Sequence, residues 1–412
     1  MSIVKPFKGV RPKPELVEKV TSLPYDVMSE DEARELGKSE YSFLRVIRPE
    51  INFEKGYNYE PEEMYKKSKE VYETMKEKGI LVKEGVEAFY IYKQTWKGNT
   101  QTGIVAGVSA WEYFDNKILK HELTRNDKEE DRLKHIETVD ANTGLVFLTY
   151  KNDEKLTQLI EELIEKYVPI YDFNADDVEN VFYVVSDEED VKALKDAFAK
   201  VDKLYIADGH HRAAAGSRLA KKRKEVNPNH TGNEEYNFFM AAIFPSNQLK
   251  VLDYNRVVKD LNGLSKEEFF SKLSGKFDVE KIGKETYTPK NKHDFGMYID
   301  GEWYKLRAKP DIYDDSDPIR SLDVDILQRN LLDPVLGIKN PRTDKRIDFV
   351  GGIRGLKELE RRVNSGWKVA FALFPTSIDD LMKVADRGLN MPPKSTWFEP
   401  KLRSGLIIHE LD

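Results

Sequence analysis

One short segment limits the local backbone of this 412-residue chain more tightly than any other. The apolar run Leu204–Ala207 reads as a buried strand and leads directly into Asp208-Gly209-His210-His211-Arg212. An Ala-rich stretch then predicts a helix that continues to about Lys224. The order strand, glycine, helix requires a tight turn, for which glycine is the most permissive residue. Because the first amides of a helix lack intrahelical partners and carry partial positive charge, this turn predicts an anion-binding site.

The side chains at the turn add to that prediction. Arg212 can hold phosphate or carboxylate oxygens through two parallel hydrogen bonds, and His210 and His211 supply further donors. Asp208 can cap the helix or hold a divalent metal beside a phosphate. The alternative is a plain helix cap with two surface histidines, and the residue types leave both interpretations open.

A second group of polar residues comes directly before an apolar strand. Glu122 lies in His121-Glu122-Leu123-Thr124, and Arg132 and Asn142 follow it before the strand that begins at Gly144. Polar residues in this position can reach a cleft, although the segment could equally be a solvated charged loop. Asp26 follows Tyr25 after Pro24 and forms either part of a site or a simple turn.

Two segments near the C-terminus are rich in turn-forming residues. Met391–Lys401 contains three prolines, which exclude a regular helix. Its Lys394 and Lys401 could contact phosphate as point charges, or the segment could be a surface loop before a final strand. The segment 351–355, Gly-Gly-Ile-Arg-Gly, lacks both the dinucleotide-binding spacing and a following Lys-Ser/Thr.

Composition removes several classes of function. The net charge is −7 and the isoelectric point about 5.7, whereas a nucleic-acid-binding domain usually has a pI above ~9 or a basic stripe. The absence of cysteine excludes disulfides, cysteine-ligated zinc and thiol nucleophiles. No run approaches the ~20 apolar residues of a membrane span, and the N-terminus has no apolar signal segment. We therefore expect a cytoplasmic protein that binds neither membrane nor nucleic acid.

Periodicity predicts the organisation of the first 250 residues. Ser29 and Glu32 form a capping box before a short helix, and a longer helix spans about Pro61–Lys78. Two strands join in a hairpin around Lys97-Gly98-Asn99. Further strands and helices alternate, which predicts a mixed α/β fold.

A second unit is expected to begin near residue 251. It contains a hairpin across Asp300-Gly301, a helix over 319–332 and a last strand over 405–409. The predicted architecture is therefore α/β (mixed α+β), with one domain over 1–250 and a C-terminal α+β domain over 251–412.

Several stretches also resemble a known family. Asp208-Gly-His-His-Arg212 is similar to the phosphate-binding motif of the ParB/sulfiredoxin superfamily, which in its free serine kinases precedes a helix of small residues. The wider chain is similar to the family called domain of unknown function 1015. The stretches that carry this similarity are Pro24-Tyr-Asp-Val27, His121-Glu-x-Thr124, Asp131-Arg132, Asn142, Met391–Thr396, Pro400-Lys401 and Ser404–Leu406. The resemblance implies a ParB/serine-kinase-like nucleotide-binding core over 1–250, with a C-terminal domain that completes the active-site cleft.

This chain departs from other members of the superfamily in two respects, and each departure limits the activities that the resemblance implies. Sulfiredoxin carries a catalytic cysteine between the glycine and the histidine of the motif, where this chain has His210 and no cysteine. Reduction of sulfinic acids is therefore excluded. ParB itself couples CTP to DNA clamping beside a DNA-binding domain, and neither the acidic balance nor any basic recognition helix favours that activity here.

The implied activity is a kinase that uses ATP or ADP with Mg²⁺ to phosphorylate a small hydroxyl substrate, free L-serine. The implied catalytic residues are Glu122, Asp208 and His211; Asp208 holds the metal, and Glu122, with Glu30 as the alternative, orients or deprotonates the hydroxyl. The implied nucleotide- or phosphate-binding residues are Gly209, His210, His211, Arg212, Lys394 and Lys401, and the implied substrate-binding residues are Asp26, Arg132 and Asn142. The alternatives are a ParB-like switch that slowly hydrolyses nucleotide and a non-catalytic ligand sensor.

Overall fold

The structure is a computed structural model that describes residues 2–412. It is a mixed α/β protein, as predicted, with one large mixed sheet and a separate antiparallel sheet. The chain divides into two compact units, one of Met1–Leu249 with Pro400–Asp412 and one of Lys250–Glu399. Among residues 2–412, no helix is long and apolar enough to cross a membrane.

The strands form two main sheets and three short pairs. They are β1 Val4–Lys5, β2 Val10–Pro12, β3 Leu81–Lys83, β4 Phe89–Trp96, β5 Asn99–Ser109, β6 Ile118–Leu119, β7 Ala141–Asn142, β8 Val146–Tyr150, β9 Tyr171–Ala175, β10 Val178–Val185, β11 Leu204–Asp208, β12 Phe238–Pro245, β13 Lys250–Leu252, β14 Tyr254–Val258, β15 Phe277–Gly283, β16 Asp294–Ile299, β17 Glu302–Ala308, β18 Ile347–Gly351, β19 Val369–Leu373, β20 Trp397–Glu399 and β21 His409–Glu410. The large sheet has the order β6-β11-β8-β12-β5-β4-β10-β9, with β1 also paired to β5. The second has the order β15-β17-β16-β19-β14-β18, and the short pairs are β2–β3, β7–β21 and β13–β20.

The α-helices occur in both units. They are α1 Val17–Val20, α2 Glu30–Leu36, α3 Leu44–Ile47, α4 Pro61–Glu77, α5 Ala110–Phe114, α6 Asn126–Val139, α7 Glu154–Lys166, α8 Glu188–Phe198, α9 His210–Val226, α10 Lys266–Ser274, α11 Asp323–Leu327, α12 Leu356–Asn364 and α13 Ile378–Asp386. Short 3₁₀ helices lie at Pro14–Leu16, Pro49–Asn52, Glu235–Asn237, Ser246–Gln248, Pro310–Ile312 and Gly352–Arg354, and a π-helical turn at Gln328–Leu332.

The core of the first unit fixes where β11 ends. Leu204 and Ile206 are fully buried, and alanines of α9 pack in the same apolar cluster, because their small side chains let the helix approach the sheet. β11 runs antiparallel to β8, with Asp208 opposite Phe147. The end of β11 therefore lies beside the residues that precede β8.

Several local predictions are confirmed. The capping box of Ser29 and Glu32 forms at the start of α2, and the long helix begins at Pro61 as expected. The hairpin between β4 and β5 turns at Lys97-Gly98, and both residues have positive φ. The hairpin between β16 and β17 turns at Asp300-Gly301.

Two local predictions differ from the structure. The segment around Glu122 and Arg132, for which a solvated charged loop is one alternative, contains the helix α6, in which Leu133 and Ile136 are buried at helical spacing. The helix expected over 319–332 starts only at Asp323. The Asp317 carboxylate accepts hydrogen bonds from the N–H groups of residues 319 and 320, which holds the preceding residues in a turn.

The C-terminal segment 400–412 packs in the first unit, whereas the predicted division places it with the second. It pairs at three separate points: Ser404 with Ser22, Ile408 with Val10, and His409 with Asn142. Because each point has a different partner, the strand expected over 405–409 shortens to β21. The function assigned to each domain stays a prediction.

Candidate active site

The turn at Gly209 has the order that the sequence predicts. β11 ends at Asp208, Gly209 has φ 89° and ψ 29°, and the 17-residue helix α9 begins at His210. This left-handed conformation strains residues that carry a Cβ, but not glycine. The Asp208 carboxylate accepts a hydrogen bond from the Gly209 N–H at 2.8 Å. The helix therefore starts directly from the strand, with its unpaired amides at the end of β11.

Arg212 folds back over this turn between two glycines. A Cβ on Gly209 would lie 3.1–3.3 Å from the Arg212 guanidinium. A Cβ on Gly144 would lie 3.4 Å from Nη1 of the same group. The antiparallel pairing of β8 and β11 brings the two glycines together, and their missing side chains leave the space that the guanidinium occupies.

Asp208 is paired with Lys401. The Lys401 ammonium donates to Asp208 Oδ2 at 2.9 Å, and the Lys401 side chain is largely buried. Burial alone would raise the pKa of Asp208, but the charges of Lys401 and Arg212 hold it far below its usual range. The structure thus brings three predicted site residues together as one charged group: a carboxylate, an ammonium and a guanidinium.

His210 points into the protein. It is 6% exposed, and its ring packs edge-on against His121 with the centroids 4.5 Å apart. Burial lowers the pKa of His121 to about 4 and that of His210 well below 6.5, so both rings are neutral near pH 7. Among the described residues, His121 Nδ1 and His210 Nε2 have no hydrogen-bond partner.

His211 contacts the segment that carries Glu122. Its Nε2 accepts a hydrogen bond from the Arg125 backbone N–H at 3.1 Å. Together with the contact between His121 and His210, this bond holds segment 121–125 against the start of α9. Glu122 is half-buried between these two contact points.

Arg132, Asn142 and Arg212 line one small cavity with Tyr25 and Gly144. Its volume is about 20 Å³, enough for roughly one water. The Arg132 guanidinium lies 4.3 Å from the centroid of the Tyr25 ring. The charges of Arg132 and Arg212 both oppose the rise in pKa that burial causes at the Tyr25 phenol. Two cations therefore share a cavity of the size of one anionic group.

Asp131 and Tyr65 hold Arg132 in place, although the sequence assigns neither of them a role in the site. Its Nε and Nη2 donate to Asp131 Oδ2 at 2.9 and 2.7 Å. The Tyr65 hydroxyl donates to the other Asp131 oxygen at 2.8 Å. Tyr65, Asp131 and Gly144 thus support the cavity. Asp131 and Gly144 carry a sequence signal, Asp131 in a stretch that resembles the family and Gly144 as the glycine before an apolar strand, whereas Tyr65 carries none.

Other predicted residues lie in different surroundings. Asp26 is exposed beside Tyr25. Glu30 lies in α2 and pairs with Arg34 at 2.7 Å. Lys394 belongs to the second unit; it has a positive φ of 58°, and its ammonium lies 5.7 Å from the centroid of the Tyr254 ring. The backbone of Asn142 pairs with His409, which fixes Asn142 at the cavity wall.

Asp208 is the candidate metal ligand at the turn. Within residues 2–412, no group of three or more His, Cys, Asp or Glu side chains is arranged to hold a metal ion. Asp208 supplies one carboxylate beside the helix start. Mg²⁺ is commonly held by one or two carboxylates together with phosphate oxygens and waters. Asp208 therefore fits the part of one protein ligand to such a Mg²⁺, and in this structure its carboxylate is paired with Lys401.

Comparison of the chain with solved structures finds distant likenesses. A free serine kinase in complex with AMP has 13% identity and a TM-score of 0.33, over 69% of this chain and 84% of that one. SbnI from Staphylococcus aureus, with a C-terminal truncation, has 11% identity and a TM-score of 0.38, over 72% and 84%. A conserved hypothetical protein from Pyrococcus furiosus has 14% identity and a TM-score of 0.34, over 70% and 89%.

Comparison with curated protein sequences gives no match. A comparison with family models gives one that extends over residues 4–325 and so includes the Gly209 turn, Glu122 and the cavity between Arg132 and Arg212. Because this match covers most of the chain, the protein belongs to the family described as protein of unknown function, DUF1015.

Proposed function

We propose that this chain is a small-molecule kinase that phosphorylates free L-serine, using ATP or ADP with Mg²⁺. The observation that carries the proposal is the placement of Arg132 and Arg212 on one cavity at the start of α9. Unpaired helix amides, the helix dipole and two guanidinium groups all favour an anion there. Phosphoryl transfer depends on this kind of charge neutralisation and positioning more than on covalent chemistry by the protein.

Each side chain has a role in the proposed reaction. The turn Gly209–Arg212 binds the donor phosphates, and Lys401 leaves Asp208 to contact them. Asp208 holds Mg²⁺, which neutralises charge on the phosphates when it is bound. Arg132 binds the serine carboxylate. His210 supports the turn from the interior, because its ring packs against His121.

The chemical step needs an acceptor for one proton. The serine hydroxyl oxygen forms a bond to phosphorus while the bond from phosphorus to the leaving nucleotide oxygen breaks. Glu122 takes the hydroxyl proton, because its segment is held against the helix start by the bond from Arg125 to His211. The products are O-phosphoserine with ADP from ATP, or with AMP from ADP.

Two predicted roles, those of Asp26 and Lys394, stand without further support from the geometry, whereas Asn142 lies on the wall of the cavity that Arg132 and Arg212 line. Asp26 and Asn142 stay predicted substrate contacts, and Lys394 stays a predicted phosphate contact. The role of the second unit in completing the cleft is likewise a prediction.

The test is Glu122→Gln, which keeps the size of the side chain and removes its charge and proton affinity. General-base contributions are about 10²–10⁴-fold, so serine phosphorylation should fall by that factor while nucleotide affinity is kept. ADP or AMP release would be measured with and without L-serine, and O-phosphoserine would be identified by phosphorus NMR. Glu130→Gln is the matched control, because Glu130 is an exposed glutamate of the neighbouring helix α6.

The outcome distinguishes a kinase from a nucleotide-hydrolysing switch and from a ligand sensor. Serine-stimulated release in wild type and in Glu130→Gln, lost in Glu122→Gln, supports the kinase and the role of Glu122. Release that is equal with and without serine in all three proteins indicates a nucleotide-hydrolysing switch. Absence of turnover in all three, with nucleotide bound, indicates a ligand sensor.

A further inference from the structure

The second unit has a cavity of its own. It lies between the loop that precedes α11 and α13, with Lys292 on a third side. The residues of α13 and its C-cap that line it are Asp380, Lys383, Asp386 and Arg387. Its volume is about 220 Å³, against about 20 Å³, or roughly one water, for the cavity between Arg132 and Arg212. The cavity can therefore hold a molecule of about the size of a free amino acid.

Charges of both signs line this cavity. Lys383 and Arg387 are four residues apart at the end of α13 and so share one helix face. Within the described part of the chain, neither cation has a carboxylate partner at salt-bridge distance. Asp315 lies on the loop side, and Asp380 pairs with Lys292 at 3.2 Å. A ligand with one positive and one negative group would match this arrangement better than a single ion.

Two buried polar groups stand behind the wall of the cavity. Asp323 is 6% exposed; one oxygen accepts the His293 N–H at 2.9 Å, and the other, Oδ2, has no hydrogen-bond partner among the described residues. The charges of the lining residues Lys292 and Asp380 act on Asp323. His293 is also buried, and its Nε2 lies 3.3 Å from the lining carboxylate of Asp315.

The protonation of Asp323 adds a hydrogen-bond donor on this side. Burial raises the pKa of Asp323 to about 8, so the carboxyl is mainly protonated near pH 7. A buried O–H without an acceptor is costly. An anionic ligand group that reached this wall would accept its hydrogen bond.

We propose that the cavity lined by Lys383, Arg387, Lys292 and Asp315 binds a free α-amino acid through its carboxylate and its ammonium group. Lys383 and Arg387 bind the carboxylate, and Asp315 binds the ammonium. Inorganic phosphate would place further negative charge beside the lining carboxylates Asp315, Asp380 and Asp386, and no group of three metal ligands occurs among residues 2–412. This binding site is separate from the proposed kinase chemistry and does not depend on it.

The test is equilibrium binding to the full chain by isothermal titration calorimetry, at amino-acid concentrations up to about 10 mM, a range that covers weak metabolite affinities. Serine, aspartate, glutamate, lysine and arginine would each be titrated alone. Propionate and propylamine serve as probes with one charge. At least one amino acid should bind saturably, and more tightly than either probe.

Variants locate that binding. The double variant Lys383→Glu and Arg387→Glu should weaken it by roughly tenfold or more, because two charge-assisted contacts are lost. Lys272→Glu is the matched control, an exposed lysine in the last turn of α10, and it should leave the affinity unchanged. Arg132→Ala separates this site from the proposed substrate site in the first unit and should also leave the binding in the second unit unchanged.

Three results would overturn the inference. They are the absence of saturable binding by every amino acid, equal binding by propionate or propylamine, and binding that persists in the double variant but disappears in Arg132→Ala. The last result would place the amino acid in the first unit only and would leave the kinase proposal standing.

Discussion

Two strands of the chain end in a glycine turn that leads into a helix, and the two turns are built for different purposes. β11 passes through Gly209 into α9, and β18 passes through Gly351, Gly352 and a short 3₁₀ turn into α12. What differs is the group that each glycine makes room for. At Gly209 it is the guanidinium of Arg212, whereas a Cβ on Gly351 would lie 2.6 Å from the Trp397 ring.

The helix starts differ in charge as well. The first turn of α12 contains Glu358, which also pairs with Arg361 and Arg362. An acidic residue in the first turn offsets the positive end of the helix dipole. The first turn of α9 reads His-His-Arg and adds positive charge instead. A glycine turn therefore favours an anion where the glycine admits a cation and the first turn of the helix contains no acidic residue.

The pKa values of the aspartates beside the two turns are shifted in opposite directions. Lys401 and Arg212 hold the pKa of Asp208 far below its usual range, despite its burial. Burial raises the pKa of Asp253, which lies against Gly352 and accepts a hydrogen bond from Asn255. At the first turn two cations lie beside the Asp208 carboxylate, whereas at the second turn the Asp253 carboxylate is buried beside the Asn255 amide.

The largest expected effect is the loss of Arg212. Arg212→Ala removes a charge-assisted contact worth roughly 1.5–3 kcal/mol, so nucleotide affinity should fall roughly ten- to hundredfold. Arg354→Ala is the control from the other turn, because Arg354 is exposed there. Nucleotide titration and circular dichroism would be recorded for both. An unchanged titration for Arg212→Ala with an intact spectrum would make Arg212 a structural residue, and the two turns would then be equivalent.

A second test inserts a methyl group at each turn. Gly352→Ala places a Cβ against the Asp253 carboxylate, and overpacking of this kind lowers the free energy of unfolding by about 1–3 kcal/mol. Its nucleotide affinity should stay at the wild-type value. Gly209→Ala should cost roughly 1–2 kcal/mol for the left-handed backbone and should also weaken nucleotide binding, because its Cβ lies against the Arg212 guanidinium. Urea unfolding and nucleotide titration measure the two effects, and weaker nucleotide binding in Gly352→Ala would contradict the distinction.

The smallest effect concerns pH. Lys401→Met removes the ammonium that pairs with Asp208, so the pKa of Asp208 should rise while that of Asp253 stays the same. Because its folded pKa is depressed, Asp208 stabilises the native state above the unfolded value of ~3.9, and this contribution is lost as pH falls through the folded pKa. Asp253 has the opposite sign, and its contribution is lost as pH rises through its raised pKa. Carboxyl-carbon NMR over about pH 2–7 measures Asp253 and shows whether Asp208, which should stay ionised over this range in the wild type, titrates within it in Lys401→Met. An Asp208 carboxyl that still does not titrate would show that Lys401 does not set its pKa.

The features that the sequence predicts are local ones. The strand, the glycine turn and the helix around Gly209 are neighbours in the chain, and a capping box needs residues only three positions apart. The arrangement of Asp208 with Lys401 spans 193 residues, and the contact of Gly144 with Arg212 depends on the register of β8 and β11. A sequence pattern does not state which strands pair, so neither arrangement could be derived from it.

Burial is a second reason why part of the site could not be predicted from the sequence. His210 and His211 look alike in the sequence as two donors at a helix start. In the fold, His210 packs inward against His121, and His211 accepts a hydrogen bond from Arg125. The helix periodicity separates adjacent side chains by about 100°, so the two histidines face different neighbours. Which of them faces inward depends on the sheet beneath the helix.

The pairing of Asp208 with Lys401 also has a consequence for the order of folding. The Gly209 turn and α9 can form from contacts close in the chain, and β11 can pair with the earlier strands β6 and β8, as soon as these segments are synthesised. Arg212 is four residues from Asp208, but the ammonium of Lys401 follows 193 residues later, after the entire second unit. Contacts of such long sequence separation form late and slow the folding of a domain. The nascent first unit therefore lacks the ammonium partner of Asp208 until residue 401 is synthesised, and refolding should end with the docking of residues 400–412.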